Sequence, residues 1–357
     1  MHAVARHLDE ATARALALTQ LDRARAAREA DALELSSDAA VRPETPAERA
    51  GTDAVLAALG TDRDRFLGEG GESQVFALDA DRVARVYRAG HESATSPVVS
   101  QLQQLYGFWS RTVAPGTLGL ELPLVLDAGT TQGRSWTVDR RFAGGSLSTW
   151  LRSADLGDRR AALASLLDAA EGLSRLPMPV PGFARLVGDG APQTYGSLVE
   201  LLSAMLAGPT SRSRDDLARD VPHVSRAWER LQRELAQRTV TPTLVHGDLG
   251  APNVYVTHDA TTGQGPRVSG VGDFSPHTLQ ADPLMDLTGA VAFLELEPYE
   301  AAVSDSEWLL GVAVQRYGPE VAHWIGVYRR YFGFYFSDTA GLDPRTYAWC
   351  LRQLDAA

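Results

Sequence analysis

Residues 244–256 read Leu244-Val245-His246-Gly247-Asp248-Leu249-Gly250-Ala251-Pro252-Asn253-Val254-Tyr255-Val256, and residues 268–274 read Val268-Ser269-Gly270-Val271-Gly272-Asp273-Phe274. Asp248 and Asn253 share one irregular loop between apolar runs, and Asp273 stands at the end of the next run. The pattern predicts a strand, a loop, and then a hairpin whose second strand delivers Asp273. Two oxygen ligands and one free carboxylate suit a magnesium–nucleotide site with a general base beside it. Taken singly, each acid reads equally well as the cap of a turn. The combination is what points to chemistry.

A second stretch, Phe66-Leu67-Gly68-Glu69-Gly70-Gly71-Glu72-Ser73-Gln74-Val75-Phe76, reads as strand, glycine turn, strand. A further strand is predicted at 83–87, after the turn Asp79-Ala80-Asp81. Glycines here let the backbone approach phosphate oxygens and present N–H groups to them. A dinucleotide-binding fingerprint is excluded, because a strand follows the glycines where a helix would be needed.

The ordered set His246, Asp248, Asn253 and Asp273, preceded by this glycine loop, resembles the catalytic core of protein-kinase-like phosphotransferases. It is most similar to the aminoglycoside phosphotransferase and choline kinase branch, in which H-G-D-x-x-x-x-N stands for the protein-kinase H-R-D-x-x-x-x-N. The resemblance spans residues 65–335, with its specific motifs confined to the glycine loop and residues 246–287. It implies an α+β, bilobal fold with a small antiparallel sheet lobe and a mainly helical lobe. It implies Asp248 as the catalytic residue, with Asn253 and Asp273 holding Mg²⁺. Gly68, Gly70, Gly71, Ser73 and Val75 would surround the phosphates of ATP or GTP, and backbone groups near Arg140 and Phe142 would meet the adenine edge. Arg85 would replace the usual phosphate-binding lysine, or Arg88 if the hairpin register differs. Arginine keeps the charge and can grip phosphate through two N–H groups. His246 would fix the loop by hydrogen bonds, and Asp286 would brace the loop or else cap a helix.

One departure stands out. Kinases orient the basic residue with a glutamate on the first helix of the small lobe. The helix predicted at 98–109 carries Gln101, Gln103 and Gln104 and no glutamate. A glutamine would accept a hydrogen bond from Arg85 without forming an ion pair.

Composition bounds the rest. At 357 residues the chain is long enough for two cores, read as a helical extension and linker (1–60), a sheet lobe (61–140) and a helical lobe (141–357). The extension includes an Ala- and Leu-rich helix at 5–34, either packed as an accessory or forming a dimer contact, so monomer and homodimer both remain open. Net charge of −11 argues against nucleic acid as the partner and is compatible with a cationic small substrate. Lysine is absent, so all 34 basic side chains under Lys+Arg are arginine. A single cysteine, Cys350, excludes an internal disulfide framework and reads as a core residue. No apolar run approaches the roughly 20 residues of a membrane span, and charges near Met1 stand where an export signal needs an apolar core. A cytoplasmic protein is expected.

Strands are predicted at 120–127 and 135–142, and helices at 161–176, 198–206, 224–235, 287–296, 307–317 and 319–336, with a loop at 209–214. Gly144-Gly145 would be a pivot between lobes or a plain loop. Glu295, Glu297, Glu300, Asp305 and Glu307 form an acidic cluster, read as a solvated face or as a contact for a cationic substrate. By resemblance, residues 182–214 and those after Asp286 shape the acceptor pocket. The expected function is a kinase acting on a hydroxyl of an antibiotic (aminoglycoside-like, with resistance as the result), an amino sugar or a metabolite. The alternatives are a nucleotide-binding pseudokinase-like module and a protein kinase. The second is disfavoured by Gly247 in place of arginine and by the lack of an A-P-E-like segment after Phe274.

Overall fold

The structure is a computed structural model that describes residues 44–69, 73–88, 97–114, 116–188, 190–258 and 265–355. The helix expected at 5–34 and the loop residues Gly70 and Gly71 lie outside the described residues. No helix among the described residues is long and apolar enough to cross a membrane.

The chain enters through helix α1 (Pro46–Ala58), which starts on a capping box. Glu48 N–H donates to the Thr45 hydroxyl and Thr45 N–H donates back to Glu48. Strands β1 (Phe66–Glu69), β2 (Ser73–Ala77), β3 (Arg82–Tyr87), β4 (Val125–Thr131) and β5 (Arg134–Arg140) form an antiparallel sheet ordered β1-β2-β3-β5-β4. Period-two alternation gives the sheet two faces. Phe76, Ala84 and Val86 point to one side and pack with Val55 and Leu56 of α1. Burying each of the larger of these side chains contributes about 1.5–3 kcal/mol. Val75, Arg85 and Thr137 stand opposite one another in register on the other face.

Helix α2 (Pro97–Thr112) follows, and β4–β5 closes the sheet. Next come β6 (Gly145–Ser146), α3 (Leu147–Leu151), α4 (Leu156–Ser174), β7 (Phe183–Arg185), β8 (Gln193–Tyr195), α5 (Leu198–Arg212), α6 (Arg214–Asp220) and α7 (Val224–Ala236). The remainder is β9 (Thr243–Val245), β10 (Val254–Thr257), β11 (Arg267–Val271), β12 (Leu279–Ala281), α8 (Leu284–Ala292), α9 (Ala302–Tyr317), α10 (Glu320–Tyr335) and α11 (Pro344–Asp355). Two small sheets, β11-β10-β6 and β8-β7-β12-β9, sit among these helices. Their cores bury Leu163, Leu166 and Leu167 of α4, Leu201 and Leu202 of α5, and Tyr328, Tyr331 and Phe332 of α10. Cys350 is buried on α11, as expected.

The bilobal α+β class expected from sequence is the one observed, with three local differences. The strand expected at 120–127 lies instead at Val125–Thr131. Pro123 lacks an N–H to join a ladder, while the two-residue turn at Gln132 and Gly133, both at positive φ, favours a hairpin that runs to its tip. The loop expected at 209–214 is the end of α5, which continues through Pro209 to Arg212. Pro209 is buried there, and its carbonyl still accepts from the Ser213 N–H and hydroxyl. The acidic cluster is also not a solvated face. Glu297 and Asp305 are buried, Asp305 pairs with Arg159 at 2.5 Å, and Glu295 pairs with Arg329 at 2.5 Å. The tight turn Phe293–Leu296 swings these acids between helices, leaving Glu300 and Glu307 exposed.

Gly144 has φ +87°, and a Cβ there would lie 1.9 Å from the Val256 carbonyl oxygen. Gly145 has open space around it. Gly144→Ala should therefore lower unfolding stability by at least about 1–2 kcal/mol from the left-handed backbone alone. Gly145→Ala should stay within about 0.5 kcal/mol of wild type. Thermal denaturation of the two variants checks this, and equal effects would contradict it.

Candidate active site

The catalytic loop hangs between β9 and β10. His246 N–H and Gly247 N–H donate to the two oxygens of Asp286, at 2.8 and 3.0 Å. Asp286 projects from the first turn of α8 and is almost wholly buried. Burial pushes its carboxyl above the usual range, against the pull of those amide donors. It braces the loop and caps no helix. Gly247 has φ +81°, and a Cβ there would fall 2.1 Å from the His277 carbonyl oxygen. Neither the backbone angle nor the space admits a larger residue, which accounts for glycine at this position.

The His246 ring locks the loop to the second motif. Its Nδ1 accepts from Asp248 N–H at 3.2 Å, so Nε2 carries the proton and donates to the Gly272 carbonyl at 2.8 Å. Asn253 Nδ2 donates to the Asp248 main-chain oxygen (2.9 Å) and to Asp248 Oδ2 (3.0 Å). Gly272 N–H donates to the Asn253 carbonyl at 2.8 Å, beside the Val254–Val271 pair of the β10–β11 ladder. Asp248, Asn253 and Asp273 are thus gathered at one end of one hairpin. Asp273 itself has φ +59°, a conformation that aspartate tolerates better than most residues. Phe274 follows it inward, between His246 (centroids 4.5 Å apart), Tyr106 (6.0 Å) and Trp109 (5.3 Å). This packing ties α2 to the catalytic loop.

Arg85 reaches the same point from the sheet. Its Nη1 lies 3.1 Å from Asp273 Oδ1 and its Nε lies 3.4 Å from Asp139 Oδ2. Burial works against the Arg85 charge, but Asp273 and Asp139 more than offset it and raise the guanidinium pKa. Burial likewise pushes the Asp139 carboxyl up, with Arg85 opposing. Arg88 pairs with Glu69 of β1 instead, at 2.5 Å. The glutamines of α2 leave Arg85 alone, and Gln101 Oε1 accepts from Gly188 N–H at 2.7 Å. The missing helix glutamate thus has a substitute in Asp139 on β5, diagonal to Arg85 because Val83 pairs with Asp139. Sequence reading missed Asp139, since nothing local sets the β3–β5 register. Alternation on a strand ending at Arg140 was the one available hint.

The other expected residues are divided. Gly68 on β1, Ser73 and Val75 on β2 lie around the glycine turn, with Val75 directly opposite Arg85. Arg140 N–H is already bonded to the Leu124 carbonyl at 2.9 Å, so it is not available to an adenine edge. Strand pairing extends one residue further than the sequence implied. Phe142 has no backbone hydrogen bond among the described residues, and its ring packs on Tyr255 at 4.8 Å and over Gly270.

Asn253 and Asp273 form a hard-oxygen pair, and no cluster of three or more His, Cys, Asp or Glu suited to a metal occurs among the described residues. The Asn253 amide nitrogen is engaged with Asp248, which leaves its carbonyl oxygen for a cation. The Asp273 side chain is 57% exposed, so its second oxygen is accessible. Two protein donors of this kind fit Mg²⁺, which draws its other ligands from phosphate and water.

A family model described as phosphotransferase enzyme family matches residues 64–311, from the glycine-loop strand through the catalytic core. The chain belongs to that family. It is a phosphotransferase with a protein-kinase-like fold. Similar solved structures include a thermostable mutant of aminoglycoside phosphotransferase APH(4)-Ia in a ternary complex with ADP and hygromycin B. It has 19% identity and a TM-score of 0.64, covering 87% of this chain and 97% of that one. The apo form of a thermostable mutant of the same enzyme has 19% identity and a TM-score of 0.62, covering 85% and 96%. At this identity the likeness is one of fold. No curated protein sequence matches.

For this phosphotransferase, Asp139→Asn should raise the KM for nucleotide about tenfold with a smaller change in kcat, and Asp139→Glu should restore part of it. Arg85→Ala should weaken nucleotide binding more than acceptor binding. Steady-state kinetics with varied nucleotide test both, and the same loss from Arg88→Ala alone would reassign the basic residue.

Proposed function

We propose that the protein is a Mg²⁺-dependent kinase that transfers the γ-phosphoryl group of ATP or GTP to a hydroxyl of a small molecule. The acceptor would be an antibiotic of the aminoglycoside kind, an amino sugar or another metabolite. The observation that carries this reading is the convergence of Asp248, Asn253, Asp273 and Arg85 at one end of the β10–β11 hairpin. Phosphoryl transfer asks mainly for positioning and charge neutralisation, and this arrangement supplies both.

Asp248 accepts the proton of the attacking hydroxyl, held in orientation by the Asn253 amide and the Asp248 N–H···His246 bond. The new bond joins the acceptor oxygen to the γ-phosphorus, the bond to the β–γ bridging oxygen breaks, and the nucleoside diphosphate leaves. Asn253 and Asp273 would hold Mg²⁺, which when bound neutralises phosphate charge. Arg85 would meet the phosphates from the sheet side, steadied by Asp139. The Phe142 backbone would face the base edge, and Gly68, Ser73 and Val75 would lie along the phosphates.

A non-catalytic reading was motivated by the absent lysine and helix glutamate. The Arg85–Asp139 pair answers both absences with one cation and one carboxylate. A nucleotide-dependent reaction and a lone buried cysteine both suit the cytoplasm.

The test is ATP and GTP consumption with Mg²⁺ across a panel of hydroxylated small molecules, with mass spectrometry for a product heavier by one phosphoryl group. Asp248→Ala and Asp273→Ala should each lower kcat at least about 10²–10⁴-fold while the fold survives. Chelation of Mg²⁺ should stop turnover reversibly. Near-normal turnover by either folded variant would sink the mechanism.

A further inference from the structure

Several donors beside the general base lack partners. Arg185 is half-buried at the end of β7. Its Nε donates to the Val187 carbonyl at 3.0 Å, and it has no carboxylate partner among the described residues. Across the sheet, Arg185 stands opposite Leu279, and Leu279 stands opposite Val245, one residue before His246. Directly paired residues share a face, so Arg185 projects on the same side as Leu279. Leu279 lines a small cavity of about 10 Å³ with Gly247, His277 and Tyr335, under the catalytic loop. Two strand spacings, about 10 Å, separate the Arg185 backbone from Val245. An extended arginine and a small ligand can bridge that distance.

His277 and Tyr335 border the same place, with ring centroids 5.1 Å apart. His277 Nδ1 is buried without a hydrogen-bond partner, and the Tyr335 hydroxyl makes no hydrogen bond among the described residues. Burial, followed by the charges of His246 and Arg185, holds the His277 pKa below the usual imidazole value, although Asp248 opposes this. The ring is therefore neutral and polar.

Acidic groups that would welcome a polyamine are already engaged. Asp338, near Tyr335, is taken by Arg212 (Nε to Oδ2, 2.9 Å). Glu295 and Asp305 pair with arginines, and Glu297 accepts from the Ser148 hydroxyl. A half-buried guanidinium without a carboxylate carries a desolvation cost that an anionic ligand would offset.

We propose that Arg185, with His277 and Tyr335, forms an acceptor subsite beside Asp248 for a small-molecule alcohol that carries an oxyanion, either carboxylate or phosphate. This rests on the kinase reading above and narrows its acceptor. Arg185 grips the oxyanion, Tyr335 adds a hydroxyl donor, and the alcohol of the same molecule is turned toward Asp248. The overall negative charge of the chain pointed toward a cationic substrate, but the local field at the acceptor side has the opposite sign.

The experiment measures acceptor-dependent ADP formation, with product mass, for wild type, Arg185→Ala and Arg185→Lys. Four acceptor arms are used: sugar acids, sugar monophosphates, neutral sugars and polycationic aminoglycosides. Wild type should phosphorylate a member of one of the first two arms, and which arm responds identifies the oxyanion. Arg185→Ala should raise KM for that acceptor about tenfold or more at similar kcat and unchanged nucleotide KM, with partial recovery in Arg185→Lys. Circular dichroism verifies that both variants are folded. Turnover of aminoglycosides insensitive to Arg185, or hydrolysis of Mg·ATP with no turnover of either oxyanion arm, overturns the subsite. Absence of Mg·ATP binding in wild type overturns the kinase reading itself, and the subsite falls with it.

Discussion

Two amide N–H groups donating to one buried carboxylate hold the active region together. Asp286 accepts from His246 and Gly247, and every other distance at the site follows from that anchoring. With those two amides fixed, the His246 ring has one orientation, in which Nδ1 meets Asp248 N–H and Nε2 meets the Gly272 carbonyl. The Gly272 bond carries the constraint to Asp273, and the Asn253 amide carries it to the Asp248 carboxylate. A buried carboxylate without these donors would be costly, by about 1–3 kcal/mol or more for each unmet group. Brace and loop therefore form together.

The sheet lobe meets this assembly through one cation. Arg85 spans Asp139, which belongs to its own sheet, and Asp273, which belongs to the catalytic hairpin. An orienting carboxylate carried on β5 moves rigidly with β3, because the two strands share a hydrogen-bonded ladder. Helix α2 is relieved of that role. Trp109 and Tyr106 pack on Phe274, Trp109 Nε1 donates to the Pro177 carbonyl, and Gln101 holds Gly188. The helix is thus a fixed part of the catalytic core, and its position does not set the geometry of the basic residue.

Charge illustrates how far composition can mislead about a site. The chain is strongly acidic, yet the carboxylates after α8 are bound to arginines and hydroxyls in the interior. With no lysine available, arginine serves every cationic role, from buried ion pairs such as Arg238–Asp282 to the half-buried Arg185 on the acceptor side. Net charge sums over groups that neutralise one another, whereas a ligand meets only those left unpaired.

The sequence by itself determined the catalytic elements. His246, Gly247, Asp248, Asn253 and Asp273 lie within 28 consecutive residues, and short apolar strands of alternating pattern force such neighbours to one end of a hairpin. The alternation in Arg82–Tyr87 likewise put Arg85 on the face away from the Ala84 and Val86 core. Tertiary structure alone decided the partners that come from far away in the chain. Asp139 meets Arg85, and Asp286 meets His246, through strand register and helix packing that no local pattern encodes. The inward turn of Glu295, Glu297 and Asp305 is of the same kind, since charged residues in sequence read as surface until a distant arginine is brought beside them. Local chemistry is written in adjacent residues, while pairing across the fold is set by which surfaces the core brings together.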